Sequence, residues 1–346
     1  VIREAIKKMT DGACLDRNEA CDVMREIMSG RASDAQIGAL LVGLKMKGET
    51  VEELFGFASA MREKATRVHV STDHLVDTCG TGGDVAGTFN VSTAAALVIA
   101  GMGIAVAKHG NRAVSSRCGS ADVLEALGMK LTDEPAVMTR CVEEARIGFL
   151  FAPALHPAMK HVMRPRKELG IKTVFNILGP LTNPAGARRQ LLGVFSEELA
   201  AKMAQVLRLL GAEIAFVVHG EDGTDELSIS GPTQVVELRR GEIKEYKISP
   251  EDLGIKRRNL SEIAGGSPEE NARTIREILS GRTGPHRDVV LLNAAAGAVL
   301  GEKALRLKQG VALAAESIDS GRALDSLERL ISISREDSDA PLPGRS

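Results

Sequence analysis

From Leu75 onward, short apolar runs alternate with longer stretches of helical spacing, and no other feature narrows the fold as much. The runs expected as strands are 75–77, 104–107, 148–152, 191–194, 214–218, 235–238 and 289–292. Between them, 91–100, 121–127, 135–144, 197–210 and 268–279 carry apolar residues at helical intervals. AFVV and VVLL are apolar throughout, as strands covered on both faces must be. Such alternation specifies an α/β domain with a mostly parallel central sheet covered by helices. Ligands of these sheets sit at the carboxyl ends of the strands.

Residues 1–67 read as four helices forming a small N-terminal α-helical bundle. Asp16 with Glu19, Ser33 with Gln36 and Thr50 with Glu53 match the capping box, and Gly30 and Gly48 fall where helices end. Apolar stripes follow each box: Ala20, Val23, Met24, Ile27; Ile37, Leu40, Leu41, Leu44; Leu54, Phe55, Ala58, Met61. They are wide for so small a bundle, so they pack on the second domain or on another copy of the chain. The expected division is 1–70 for the helical domain, 71–155 and 185–332 for the α/β domain, and 333–346 for a frayed, proline-rich tail. Residues 156–184 break the alternation. They read as a helix over 158–169, bent near Pro165, followed by a stiff loop with Gly179-Pro180 and Asn183-Pro184.

The first α/β unit, 75–128, carries the chemistry. An apolar strand feeds a glycine turn (Gly80, Gly82, Gly83) ending in Asp84, and a helix begins near Asn90 and Ser92. Glycines let backbone N–H groups approach an anion, and a helix start adds free N–H groups and the positive end of its dipole. The turn is not a dinucleotide fingerprint, since Val85 stands where its third glycine belongs, and no Lys-Ser or Lys-Thr pair makes it a P-loop. Thr88, Asn90, Ser92, Thr93, Lys108, Asn111, Arg112, Ser115, Ser116 and Ser120 crowd into the same unit. That density points to a phosphate-rich ligand rather than a bare turn.

Bulk charge does not supply the anion site: formal net charge is −2, with 26% charged and 44% apolar residues. This balance, with no Trp and one Tyr, speaks against a nucleic-acid partner. The longest apolar run, near 94–100, is too short for a membrane span, and the first residues form a charged amphipathic segment rather than a secretion signal. Five cysteines without metal spacing suit a reducing cytoplasm. Lys256, Arg257 and Arg258 read as a solvated face.

A second constellation lies at 221–230, EDGTDELSIS, where Asp225 and Glu226 are adjacent. They read either as an exposed acidic turn or as magnesium ligands, which are hard oxygen donors completed by water and substrate phosphates. Beside a phosphate cradle without acids of its own, they are the metal candidates.

With these motifs in hand, the sequence resembles the anthranilate phosphoribosyltransferases of tryptophan biosynthesis. GTGGD at 80–84, NVST at 90–93, KHGNRAVSS at 108–116, GSADVLEALG at 119–128, HPAMKHV at 156–162, RKELG at 166–170, NILGPLTNP at 176–184 and DELS at 225–228 follow that family's order. The resemblance implies a helical domain, to which 156–184 returns, joined to an α/β domain with the active site in the cleft. It implies a cytoplasmic homodimer formed through the helical domains. The implied reaction moves the phosphoribosyl group of PRPP to the amine of anthranilate and releases pyrophosphate. PRPP would be held by Gly80, Gly83, Asp84, Thr88, Asn90, Val91, Ser92, Thr93, Lys108, Ser116 and Ser120. Anthranilate would meet Gly80, His109, Asn111, Arg166, Gly179 and Pro180. Ser92, Asp225 and Glu226 would bind Mg2+, as two ions of which one or both arrive with PRPP. His109 is the one candidate proton acceptor, although a packing or hydrogen-bonding role fits it equally.

Two departures stand out: Arg164-Pro165 adds a cation before Arg166, and Cys118 replaces a small hydroxyl residue. The competing readings are a pyrimidine nucleoside phosphorylase of the same architecture and a nucleic-acid-binding relative that has lost the chemistry. KHGNR and NILGPLTNP argue against the first; charge and the intact acidic pair argue against the second.

Overall fold

The computed structural model describes residues 1–72, 74–82, 87–113 and 117–336. The chain opens with helices α1 (Ile2–Thr10), α2 (Arg17–Met28), α3 (Asp34–Lys47) and α4 (Val51–Lys64). All three capping boxes close in both directions, so each helix start satisfies two N–H groups locally. Glu53 does more than cap: fully buried, it also accepts the Leu15 N–H at 2.9 Å and the Lys47 ammonium at 2.8 Å. Close approach of α4 to α2 depends on Gly56, where a Cβ would stand 2.5 Å from the Arg17 carbonyl oxygen. Phe57 is the fully buried aromatic of α4; Phe55 is only partly buried, beneath the Arg17 guanidinium.

The α/β part continues as β1 (Val76–Gly80), α5 (Val91–Gly101), β2 (Val106–Gly110), α6 (Ser120–Leu127), α7 (Pro135–Ala145) and β3 (Ile147–Phe151). Three helices interrupt it: α8 (Ala152–Leu155), α9 (Lys160–Leu169) and α10 (Phe175–Leu178). Then come β4 (Arg189–Gly193), α11 (Glu197–Leu209), β5 (Ile214–Gly220), β6 (Thr233–Arg239) and β7 (Glu242–Ile248). Helices α12 (Pro268–Leu279), α13 (Pro285–Leu300), α14 (Leu307–Asp319) and α15 (Arg322–Arg335) end the described chain. The seven strands lie in the order β3-β2-β1-β4-β5-β6-β7. All neighbours through β5 are parallel, and β6 and β7 run antiparallel.

Alternate strand residues face two cores. Val76, Leu191, Phe216 and Val218 join the core built on α5 and α13. Cys79, Leu192, Ala215 and Val217 join the one containing the N-terminal helices, α11, and Val162, Phe175 and Leu178 from the 156–184 segment. No helix among the described residues is long and apolar enough to cross a membrane.

Two expectations fail locally. Residues 289–292 are not a strand but the centre of α13, almost every residue of which is buried. A short apolar run has no period of its own; the Gly284-Pro285 start and the alanine-rich continuation decide for a helix. Strand β7, EIKEYKI, is absent from the expected set because its exposed edge is charged. It is made by a two-residue turn in which Arg240 (φ 51°) and Gly241 (φ 83°) are both left-handed. At the end, 333–335 belong to α15, while 337–346 lie outside the described residues.

Candidate active site

The pleat of β1 and β2 sorts polar residues onto two sides. On the α5 side, Thr78 Oγ1 donates to the Ser92 carbonyl at 3.2 Å. Lys108, 2% exposed, donates from Nζ to the Thr78 carbonyl at 2.5 Å and to Ser92 Oγ at 3.1 Å. Burial pushes the Lys108 ammonium down, opposed by the fields of Asp77, Cys79, Glu226 and Asp225. A buried cation thus sits against the first turn of α5.

That turn is open to a ligand because its cap residue is occupied elsewhere. Asn90 Nδ2 donates to the Cys118 carbonyl at 3.1 Å, and Asn90 Oδ1 accepts from Asn271 at 2.9 Å. It makes no capping bond; the Val91 N–H turns back to the Phe89 carbonyl at 2.7 Å, and the N–H groups that follow it keep the positive dipole end of α5 available. Val91 and Thr93 are buried beside it, and Thr93 Oγ1 has no partner among the described residues. Thr88 pairs with Ala264, and Gly265 is obligatory there: a Cβ would stand 2.6 Å from the Thr88 carbonyl oxygen. Ser120 opens α6 and donates to the Asn111 carbonyl at 3.3 Å. Gly83, Asp84, Ser115 and Ser116 lie outside the described residues. Arg112 turns to Asp122 and Glu125.

The acidic pair sits at the same sheet edge. β1 and β4 end on the paired glycines Gly80 and Gly193, and Asp225 fills the slot they leave. A Cβ at Gly80 would lie 2.5 Å from Asp225 Oδ2; one at Gly193 would lie 1.6 Å from the Asp225 carbonyl oxygen. Gly82 N–H donates to Asp225 Oδ2 at 3.1 Å. Burial pushes the Asp225 carboxyl up, opposed by this bond and by Lys108. Upstream, Asp222 accepts from Thr224, Ser228 and Ser230, bonds that outweigh burial and hold it below the usual carboxylate range. Downstream, the fully buried Asn293 of α13 grips the Leu227 peptide on both sides, accepting its N–H at 3.0 Å and donating to its carbonyl at 3.1 Å. These bonds fix the loop from both flanks. The Ser92 hydroxyl accepts from Lys108, and the fields of Asp225 and Glu226 reach the same ammonium; the donors these three residues carry are oxygens only, the chemistry magnesium takes rather than a soft metal.

On the other side of the pleat, His109 meets His156 with ring centroids 5.1 Å apart. Both are buried, and neither Nε2 has a partner among the described residues. Burial pushes His109 down to about 3, with His156 adding to this and the Gly179 backbone opposing it. Burial likewise pushes His156 down to about 4. Rings of this kind stay uncharged near pH 7, each with one N–H and one acceptor nitrogen, and take up a second proton only weakly, so His109 fits a wall or acceptor role better than that of a strong base. Pro180 is buried on this wall, and Gly179 is half-buried. Arg166 lies over the Phe175 ring at 5.4 Å, pushed down by burial, and no described carboxylate pairs with it. Its charge is free for an anionic ligand. Arg164 is exposed and paired with Glu168 and Asp34. Asn111 is exposed at the end of β2, its Oδ1 accepting the Arg112 N–H at 2.7 Å.

Sequence reasoning missed Asn293, Asp77, Asn183 and Gln190. The last three form one buried network: Asp77 accepts from the His109 N–H at 3.2 Å and from Asn183 at 2.8 Å, and Gln190 donates to the Pro180 carbonyl at 2.7 Å. A polar residue inside an apolar strand, as in LVDTC, was the available signal.

These features define a glycosyl transferase built from a helical bundle and an α/β domain. The family model described as "Glycosyl transferase family, a/b domain" matches residues 72–324, and that described as "Glycosyl transferase family, helical bundle domain" matches residues 3–65. The anthranilate phosphoribosyltransferase of Desulfosudis oleivorans is 54% identical over 333 residues, covering 96% of this chain and 98% of its own. The crystal structure of the Thermus thermophilus enzyme of that name superposes with a TM-score of 0.91 at 49% identity, covering 96% of this chain and 99% of its own. The Saccharomyces cerevisiae enzyme, solved in complex with PRPP and Mg, superposes at 0.88 with 32% identity, covering 96% and 97%. The same yeast enzyme has been solved with 4-fluoroanthranilate. The chain belongs to the anthranilate phosphoribosyltransferase family.

Proposed function

We infer that this protein transfers the 5-phosphoribosyl group of PRPP to the amine of anthranilate, giving N-(5-phosphoribosyl)anthranilate and pyrophosphate. The supporting observation is the division along β2. Lys108 faces the open start of α5, and His109, the next residue, faces the Gly179-Pro180 turn. Two different substrates can thus meet across one strand end.

On the α5 side, Lys108, Ser92, Thr93 and the N–H groups after Asn90 bind the phosphates of PRPP, with Gly80, Gly83, Asp84, Thr88, Val91, Ser116 and Ser120 around them. Asp225, Glu226 and Ser92 hold magnesium, two ions with one or both carried by PRPP, which neutralises charge developing on the departing pyrophosphate. Lys108 adds a fixed cation in a dry site, where it acts more strongly than in water. On the other side, Arg166 pairs with the anthranilate carboxylate and Asn111 orients it, while His109, Gly179 and Pro180 flank the ring. An aromatic amine is neutral near pH 7, so the chain's task is to position it for attack rather than to deprotonate it first.

Residues 1–70 with 156–184 form one lobe, and 71–155 with 185–332 the other; Val162, Phe175 and Leu178 sharing a core with the N-terminal helices supports the place of 156–184, and α11 packs on that core from the second lobe. The helical lobe pairs two copies, the role the family resemblance gives it. Five free cysteines favour the cytoplasm. The test mixes protein, PRPP, magnesium and anthranilate. One pyrophosphate per anthranilate consumed is expected; thymine release from thymidine and phosphate, without that turnover, would replace this reading with the phosphorylase.

A further inference from the structure

Asp77 is a fully buried carboxylate with no part in the chemistry above. It lies on the second-core face of β1, directly across from Gln190 on β4. One oxygen accepts the His109 N–H at 3.2 Å. The other accepts from Asn183 Nδ2 at 2.8 Å and from Gln190 Nε2 at 3.4 Å. Both amides reach further. Gln190 Nε2 also donates to the Pro180 carbonyl at 2.7 Å. Asn183 Nδ2 also donates to the Ala107 carbonyl at 2.9 Å, and its Oδ1 accepts the Ala185 N–H at 2.9 Å. One carboxylate is therefore tied to the backbone of His109 on one side and, through two side chains, to both ends of the 180–183 turn on the other.

Holding two parallel strands together does not require this. The residues around Asp77 on the same core face are Cys79, Leu192 and Ala215, and an apolar side chain would pack there without the desolvation cost of a carboxylate. What the network fixes, and an apolar residue would not, is the separation of His109 from the Gly179-Pro180 turn. We propose that Asp77, with Asn183 and Gln190, is a positioning residue for the acceptor substrate, holding His109 and the Gly179-Pro180 turn together as one wall against which a planar aromatic amine lies. Asp77 touches no substrate and acts through the groups it holds. The inference rests on the reading that anthranilate lies against this wall.

Asp77→Asn keeps the shape and turns one acceptor oxygen into a donor facing other donors. In the full-length protein, the anthranilate KM should rise about 10- to 100-fold, the range expected for one buried donor left unpaired. The PRPP KM should stay within about twofold, because Lys108 and α5 lie across the pleat. Gln190→Met cuts the arm to Pro180 together with the longer bond to Asp77, leaves the Asn183 arm and the His109 bond in place, and should raise the anthranilate KM by a smaller factor, again alone; it serves if Asp77→Asn does not fold. A parallel rise in both KM values, or a fall in kcat with both unchanged, overturns the proposal. Arg166→Ala separates the two levels. If it raises the anthranilate KM selectively while Asp77→Asn and Gln190→Met do not, the positioning role is wrong and the acceptor site stands. If none of the three does, the acceptor lies elsewhere and both readings fall.

Discussion

Gly193→Ala tests how closely the acidic loop is built onto the sheet. The added Cβ would fall 1.6 Å from the Asp225 carbonyl oxygen, whereas ordinary contact begins at 3.4 Å, so the pair must separate by 1.8 Å. β4 cannot yield easily, since it is paired on both edges with β1 and β5. The loop must move instead, and Asp225 moves with it while Asn293 and the Asp222 bonds hold its flanks. A misplacement of about 1 Å at a reacting group can cost on the order of 100-fold in rate, so kcat should fall at least that far. The magnesium concentration for half-maximal rate should rise alongside it. Overpacking also destabilises, by about 1–3 kcal/mol, and a control must carry that burden without touching the site. Gly56→Ala does so: its Cβ would meet the Arg17 carbonyl oxygen at 2.5 Å, between α2 and α4. Comparable losses in urea stability are expected from the two variants, with only Gly193→Ala losing turnover. Wild-type kcat and magnesium dependence in Gly193→Ala would refute the reasoning.

Asn293→Asp keeps the Leu227 N–H bond but sets a carboxylate against the Leu227 carbonyl; the half-maximal magnesium concentration should rise about tenfold, read from rate against magnesium at saturating anthranilate. Asp225→Asn should lose most turnover, and an unchanged magnesium titration would remove its assigned role. The two buried histidines predict acid sensitivity. Their folded values, about 3 for His109 and about 4 for His156, lie below the ordinary 6.5, so the unfolded chain binds the extra protons. Stability is therefore full above pH 6.5 and lost below it by about 1.4 kcal/mol per pH unit for each ring, until its folded value is reached. His109→Gln should flatten that slope in urea unfolding between pH 7 and 5, and the rate should show no limb from His109 between pH 6 and 8.

Much of this was legible in the chain, where the deciding residues lie close together. The boxes at Asp16, Ser33 and Thr50 span three residues each and closed as spaced. The start of α5 was readable for the same reason. Long-range pairings were not. Gln190 lies 113 residues from Asp77, and Asn293 lies 66 from Leu227, distances over which no spacing rule operates. The apolar run at 289–292 misled because helix and strand leave the same mark on so short a stretch. Lys108 and His109 read as one motif, and only the pleat sends them to opposite faces. Arg164 adds a cation before Arg166, and its pairing with Glu168 and Asp34 is not a matter of spacing alone.

That parting of two neighbouring residues is the centre of the account, and one pair of steady-state measurements tests it directly. Lys108→Met should raise the PRPP KM or abolish its binding while the anthranilate KM holds. His109→Gln should do the reverse, raising the anthranilate KM while the PRPP KM holds. If both substitutions move the same constant, the two substrates are not divided across β2 and the account is wrong.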